Sequence, residues 1–319
     1  MTGVAWRSKI ARMRVETFAQ QLFFCTSLIQ TSATAGTGFV WMAESGPHQV
    51  PVLVTNKHVA LTPGPGSFSL AAREPSGAPK LGERVSLAHP DLASAWTGHP
   101  NPEVDVAAMF LAPFLGAAES AGKLPFFRAV TEDICPSEEV VDADLDAIEP
   151  VVFVGYPNAL FDKSNLTPIA RRGYTATPVA LDYNGLPSFL IDASVFPGSS
   201  GSPVFISQDN GYRSGSTMHL AASRILFVGL VAAVHIQQDT GRLVTSVPQA
   251  HVQLNQLMDL GIVYNWRAVR ETVQGLFAAH DLPYGAVPPV QTGLEDGARV
   301  EVATQVEPPD RPAERLPHD

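Results

Sequence analysis

The chain has 319 residues, 45% of them hydrophobic and 16% charged, with a formal net charge of −10. That is apolar material for one large domain or two modest ones, and the acidic balance excludes functions that rest on attraction to nucleic acid or to an anionic membrane surface. The 27 prolines and 25 glycines favour many short strands and turns over a helical bundle.

The N-terminal stretch carries Arg7, Lys9, Arg12 and Arg14 ahead of its first acid, Glu16, and lacks the apolar core of a secretory signal. Residues 1–20 are therefore expected to form a short docking helix or an extended arm. No apolar run has the length needed to span a bilayer, so no membrane partner is expected and the cytoplasm is the expected location. Two cysteines, Cys25 and Cys135, permit one bridge. Two reduced, partly buried thiols are the simpler expectation. Cys135 stands among acids in "DICPSEE", a setting that disfavours a thiolate nucleophile.

From about Gln21 to Val247 short apolar or alternating runs recur: "LFFCTSLIQT", "TGFVWMA", "VPVLVTN", "VDVAAMFLA", "VVFVGYP", "SFLIDASVF", "SPVFIS", "ILFVGLVAAVHI" and "RLVTSVP". Gly, Pro, Asn or Asp separates most of them. The pattern predicts an all-β antiparallel sandwich or barrel whose strands are well covered. Two helical patterns follow. "QAHVQLNQLMDL", after Pro248, brings Val252, Leu254, Leu257 and Met258 close to one helical face before Gly261. Asn265 can cap "WRAVRETVQGLFAAH", in which Trp266, Val269, Val273, Leu276 and Phe277 recur at helical spacing. Residues 281–319 are proline-rich and read as an extended or disordered tail. Within them Val300, Val302 and Val306 share one face of a would-be strand, a candidate dock for a regulatory protein partner.

The chemistry gathers around "FPGSSGSPVF". A sharp turn of small residues around Ser199 and Ser200 suits the exposure of a hydroxyl. A serine becomes a useful nucleophile only when a base takes its proton, an acid orients that base and backbone N–H groups receive the oxyanion. Gly198 and Gly201 allow the backbone geometry such donors need, which points to the N–H groups of Gly198 and Ser200 as an oxyanion hole. Among nine histidines, His58 lies where an apolar strand ends in "VLVTNKHVAL" and is the leading base. His235, at the end of another apolar strand, is second. His48, His89, His99, His280 and His318 read as surface residues, and His219 and His251 as peripheral. Asp105 opens the apolar strand "VDVAAMFLA" and needs a partner if buried, which an imidazole N–H can be. Asp192 raises the same question nearer the serine turn. No cluster of His, Cys or carboxylate has metal-ligand spacing, and this chemistry calls for no cofactor.

Thr55-Asn56-Lys57-His58-Val59, Asp105-Val106-Ala107 and Pro197-Gly198-Ser199-Ser200-Gly201-Ser202-Pro203 occur in that order. Together they resemble the chymotrypsin-like serine peptidases of the trypsin fold, most of all the bacterial HtrA-type branch. The flanking strands around "GTGFVW", "VVFVGYPNAL" and "FVGLVAAVHI" resemble the family too, so the likeness covers about residues 20–260. It implies two antiparallel six-stranded β-barrels with C-terminal helices, the site lying at their junction. By the same resemblance Ser200 is the nucleophile, His58 the general base and Asp105 its orienter, in an endopeptidase acting through an acyl-enzyme on protein or peptide substrates. The expected organisation is 21–262 for the protease domain, 263–280 for a docking helix and 281–319 for the tail, with no room for the PDZ domain of HtrA-type proteins.

Two departures matter. Ser199 stands where secreted relatives carry the aspartate that pairs with a new N-terminus, so zymogen activation by that route is not expected, and control falls to a partner or to assembly. Ser202 replaces a commoner glycine, with little effect expected. In the specificity pocket the resemblance points to Ser194, Ala232, Ala233, Val234 and His235. An uncharged Ser194 offers nothing to a buried Lys or Arg, and Val234 favours small aliphatic residues before the scissile bond. His235 is the alternative, receiving an acidic side chain. Two other functions remain open: peptide binding without turnover, and an esterase using the same triad.

Overall fold

The computed structural model describes residues 13–209, 211–242 and 251–285, with the backbone alone for 233–242 and 251–258. The tail strand around Val300–Val306 and His318 lie outside the described residues, as do the side chains of Ala233, Val234, His235 and His251. Among the described residues no helix is long and apolar enough to cross a membrane.

The first half carries strands β1 (Thr26–Thr31), β2 (Ala35–Ser45), β3 (His48–Thr55), β4 (Gly66–Arg73), β5 (Pro79–His89), β6 (Thr97–Gly98), β7 (Ala107–Phe110) and β8 (Pro125–Phe126). They form one sheet in the order β5-β4-β1-β2-β3-β7-β6, with β8 on β4. Five of the strands have six residues or more and β7 has four; β6 and β8 are two-residue additions. The second half carries β9 (Pro150–Gly155), β10 (Ile169–Thr175), β11 (Ser188–Asp192), β12 (Pro203–Gln208), the hairpin β13 (Gly211–Ser214) and β14 (Thr217–Leu220), β15 (Arg224–Arg242) and β16 (His251–Asn265). Six of these close into an antiparallel barrel, β10-β11-β16-β15-β12-β9. The helices are α1 (Phe18–Leu22), α2 (Lys57–Ala60), α3 (Ala112–Ser120), α4 (Glu138–Asp144) and α5 (Trp266–Ala279).

The strand β2 explains why the apolar runs lack clear alternation. Phe39 and Trp41 enter the core shared with the second half, while Val40 on the opposite face enters a separate core with Ile29, Leu53, Phe68 and Met109. Both faces are covered, so both must be apolar. At the seam Phe39, Trp41 and Phe205 surround Phe227 with ring centroids 5.3, 5.7 and 5.6 Å away. Each such fully buried large side chain contributes about 1.5–3 kcal/mol relative to exposure.

Of the two expected C-terminal helices, the second forms. Asn265 Oδ1 accepts from the N–H groups of Arg267 and Ala268, and Trp266, Val269, Val273, Leu276 and Phe277 are all buried. This helix lays Phe277 against Phe110 of β7, centroids 5.1 Å apart, so the end of the second half braces the first. From His251 onward, the part of "QAHVQLNQLMDL" that lies within the described residues is not a helix. It belongs to β16, which pairs with β11 and β15 and completes the second barrel. Gly261 does not stop a helix there. It lies inside the strand, where a Cβ would come within 2.6 Å of Val195 Cγ2 and 3.1 Å of Ile191 Cγ1.

Both thiols are free, Cys25 buried and Cys135 half-buried. Burial pushes each up to about 12, with Glu132 and Asp133 adding to the effect at Cys135 and Arg270 opposing it.

Candidate active site

The strand β3 ends at Thr55 and the single-turn helix α2 begins at Lys57, which places His58 at the rim of the first sheet. Asp105 stands two residues before β7, the neighbour of β3. The two meet closely. His58 Nδ1 lies 2.6 Å from Asp105 Oδ2, and the His58 backbone N–H donates to Oδ1 at 3.1 Å. A carboxylate accepts, so the ring proton is assigned to Nδ1, leaving Nε2 with its lone pair. The imidazole side chain is 48% exposed and the carboxylate 29%.

The loop that carries Asp105 is anchored on several sides. Asn56 Nδ2 donates to the Asp105 carbonyl at 2.6 Å, and Lys57 Nζ to the Asn101 carbonyl at 2.8 Å. Tyr264, on β16 of the second barrel, donates its hydroxyl to the Glu103 carbonyl at 2.8 Å. Burial raises the Tyr264 pKa, and this keeps the phenol a neutral donor. His99 is a correction to the sequence reading. It is 6% exposed and not a surface residue. Its Nδ1 accepts from the Asn101 N–H and its Nε2 meets Glu271 of α5 at 3.1 Å. His48, His219 and His280 are exposed and His89 half-buried. Asp192 ends β11, exposed.

In the second half, β11 leads through residues 193–196 into the turn at Pro197–Gly201, and Pro203 restarts β12. Gly198 and Gly201 both have φ of +86°. A Cβ on Gly198 would sit 2.6 Å from the Tyr156 carbonyl oxygen, and one on Gly201 would collide with the Thr37 carbonyl oxygen. Glycine is therefore required at both places by φ and by space.

The backbone of this turn is bonded at almost every group. The N–H groups of Ser199, Gly201 and Ser202 donate to Phe196, Val231 and Ser199 carbonyls at 2.9, 2.7 and 3.0 Å. The carbonyls of Pro197 and Ser200 accept from Asn158 and Thr37 N–H at 2.6 and 2.9 Å, and the Gly198 carbonyl accepts from Thr37 Oγ1 at 2.9 Å. Among the described residues, the N–H groups of Gly198 and Ser200 alone within the turn from Gly198 to Ser202 have no such partner.

The Ser200 hydroxyl donates to the Ala232 carbonyl at 3.1 Å. Ala232 is the extra residue in a bulge of β15, between the pairs Val231↔Val263 and Ala233↔Ile262. Bulges of this kind re-aim the backbone, and here the re-aimed carbonyl meets the serine. Ser194 is half-buried and Ala232 is buried. Ser202 is fully buried, and among the described residues its hydroxyl has no partner.

The structure thus joins His58 to Asp105 and aligns Gly198 with Ser200 in one turn. Thr37, Asn56 and Tyr264, which hold these groups, gave no chemical signal in the sequence.

The sequence profile of the trypsin-like peptidase domain matches residues 36–211. No curated protein matches the chain. Among solved structures, the inactive form of the Rv3671c protease of M. tuberculosis is 15% identical, covering 80% of this chain and 90% of that one at a TM-score of 0.41. The thermostable serine protease AL20 of an extremophilic microorganism is 12% identical over 66% and 92% of the two chains, TM-score 0.35. An inactivated protease paralogue of the scabies mite is 11% identical over 80% and 95%, TM-score 0.41.

Proposed function

The chain belongs to the trypsin-like peptidases, and from that premise we propose that it is a serine endopeptidase with Ser200 as nucleophile, His58 as general base and Asp105 as the group that orients the base. The observation that carries this reading is the 2.6 Å bond from His58 Nδ1 to Asp105 Oδ2. It fixes the tautomer and leaves Nε2 free to take a proton.

In the reaction the Ser200 hydroxyl leaves the Ala232 carbonyl by rotation about its side-chain bond and donates to His58 Nε2. Its oxygen attacks the scissile carbonyl while the proton passes to the imidazole. The oxyanion accepts from the N–H groups of Gly198 and Ser200, which have no other partner among the described residues. The imidazolium, stabilised by Asp105, returns the proton to the leaving amine. Water then attacks the acyl-enzyme by the same route in reverse. Side chains and backbone supply every group.

Substrates carry small uncharged residues before the scissile bond. Support comes from Ser194, whose uncharged side chain offers no counter-ion to a desolvated Lys or Arg. Ala233, Val234 and His235 complete the pocket in this reading. The Ser200–Ala232 bond favours a resting form in which the hydroxyl is parked until substrate or a protein partner shifts it.

Cleavage of a peptide library varied at the residue before the scissile bond tests the proposal. Ala and Val are expected to be preferred to Lys and Arg by at least about tenfold, with all cleavage lost in Ser200→Ala. Preference for Lys or Arg would overturn the pocket assignment, and turnover of esters without peptides would favour the esterase.

A further inference from the structure

Ser199 has no charge with which to anchor the nucleophile turn, and among the described residues its hydroxyl accepts a single 3.4 Å bond from the Phe196 N–H. We propose that Thr37, on β2 of the first half, is the positioning residue that holds the oxyanion donors of the second half in place, an inference that rests on Ser200 being the nucleophile.

Thr37 is completely buried, and every polar atom it owns is used. Its N–H donates to the Ser200 carbonyl at 2.9 Å and its hydroxyl to the Gly198 carbonyl at 2.9 Å. The same hydroxyl oxygen accepts from the Tyr156 N–H at 3.0 Å. Its carbonyl accepts from Thr55 Oγ1 at 2.6 Å, which ties it to β3, the strand that ends three residues before His58.

The bond to Tyr156 acts at one remove on the oxyanion site. Tyr156 begins a short turn in which Asn158 and Ala159 have φ of 49° and 55°. Residues with a Cβ hold such a conformation only where their surroundings fix it. From that turn the Asn158 N–H donates to the Pro197 carbonyl at 2.6 Å. In a trans peptide the C=O and N–H point opposite ways. Holding the Pro197 carbonyl on Asn158 therefore turns the Gly198 N–H to the far side, where among the described residues it has no protein partner. One threonine hydroxyl thus grips the Gly198 carbonyl directly and the Pro197 carbonyl through the Tyr156–Ala159 turn. The donors belong to one half of the molecule, and the residue that fixes them to the other.

Thr37→Val keeps the shape and suits a strand, but strands the Gly198 carbonyl and the Tyr156 N–H without partners. Thr37→Ser keeps both bonds. The test is fluorophosphonate inactivation of the two variants and the wild type, resolved into kinact and KI, with amide hydrogen exchange at Tyr156 read in parallel. In Thr37→Val kinact is expected to fall about 10- to 100-fold with KI within about threefold. Thr37→Ser is expected to restore kinact to within about threefold, and exchange at Tyr156 to quicken in the valine variant only. An unchanged kinact in Thr37→Val would overturn the proposal. So would an equal loss in Thr37→Ser, since the methyl group rather than the hydroxyl would then matter. A wild type that does not label would remove the nucleophile assignment. Exchange at Tyr156 would still read the brace by itself, and equal exchange in all three proteins would remove it whatever the nucleophile.

Discussion

The two halves of the molecule stand in different states of readiness. In the first, His58 and Asp105 are already joined by two hydrogen bonds, and Asn56, Lys57 and Tyr264 hold the loop behind them. In the second, the backbone of the nucleophile turn is set, but the hydroxyl it carries is bonded to the Ala232 carbonyl. The difference teaches where the cost of assembly has been met. Ordering a half-buried acid and an imidazole loses side-chain entropy and partly desolvates charge, and folding has done it in advance. Moving one hydroxyl about one bond costs little, so in the proposed reaction it is the step left to the encounter with substrate.

Variants at these groups should separate the halves in order of effect. Ser200→Ala removes the oxygen of the proposed nucleophile and should cost about 10⁶-fold in kcat, measured on a peptide ester; His58→Ala should approach the same loss. Asp105→Asn should cost about 10⁴-fold, because an amide facing Nδ1 favours the wrong tautomer. If it costs no more than tenfold, the first half is not as preset as the geometry indicates. Tyr264→Phe removes the strut from the second barrel to the Asp105 loop. A lost hydrogen bond of about 1 kcal/mol predicts up to a tenfold fall in kcat with KM little changed, and steady-state kinetics would read that split.

The smallest effect on turnover belongs to Asp144, the last residue of α4, ahead of the first strand of the second barrel. The Gly215 N–H, with Arg224 assisting, holds its carboxyl below the ordinary carboxylate range. Its stabilisation is therefore complete above about pH 4 and is lost as the pH falls from there through the lowered value. Thermal melting should show the wild type losing more stability than Asp144→Asn on acidification through this window, with peptidase activity at neutral pH equal in the two. Lost activity in Asp144→Asn would mean that the outer wall of the second barrel and the nucleophile turn are coupled, against the separation drawn above.

How much of this was legible depended on what each residue has to do. His58, Asp105 and Ser200 stood out because nucleophilic catalysis demands those residue types beside strand ends and glycines. The strands β4, β5 and β10 passed unread. In β5 only Pro79, Val85 and Leu87 are buried, and most of β10 is exposed, so their apolar alternation is faint. The start of β16 mimicked a helix because its apolar residues happen to fall at helical spacing, and a glycine needed for close packing looked like a helix stop. His99, in "HPNP", looked solvent-facing because nothing local announces Glu271, which reaches it from α5 across 172 positions of chain. Thr37 and Tyr264 act through hydroxyls on the backbone of the opposite half. Such contacts leave no pattern in sequence, since almost any strand tolerates a threonine or a tyrosine.

The most direct measurement is mass-spectrometric mapping of a fluorophosphonate adduct on wild type, Ser200→Ala and His58→Ala. The account predicts one adduct on wild type, carried by Ser200, and none on either variant. Labelling that persists in Ser200→Ala, or proceeds as fast in His58→Ala as in wild type, would contradict it.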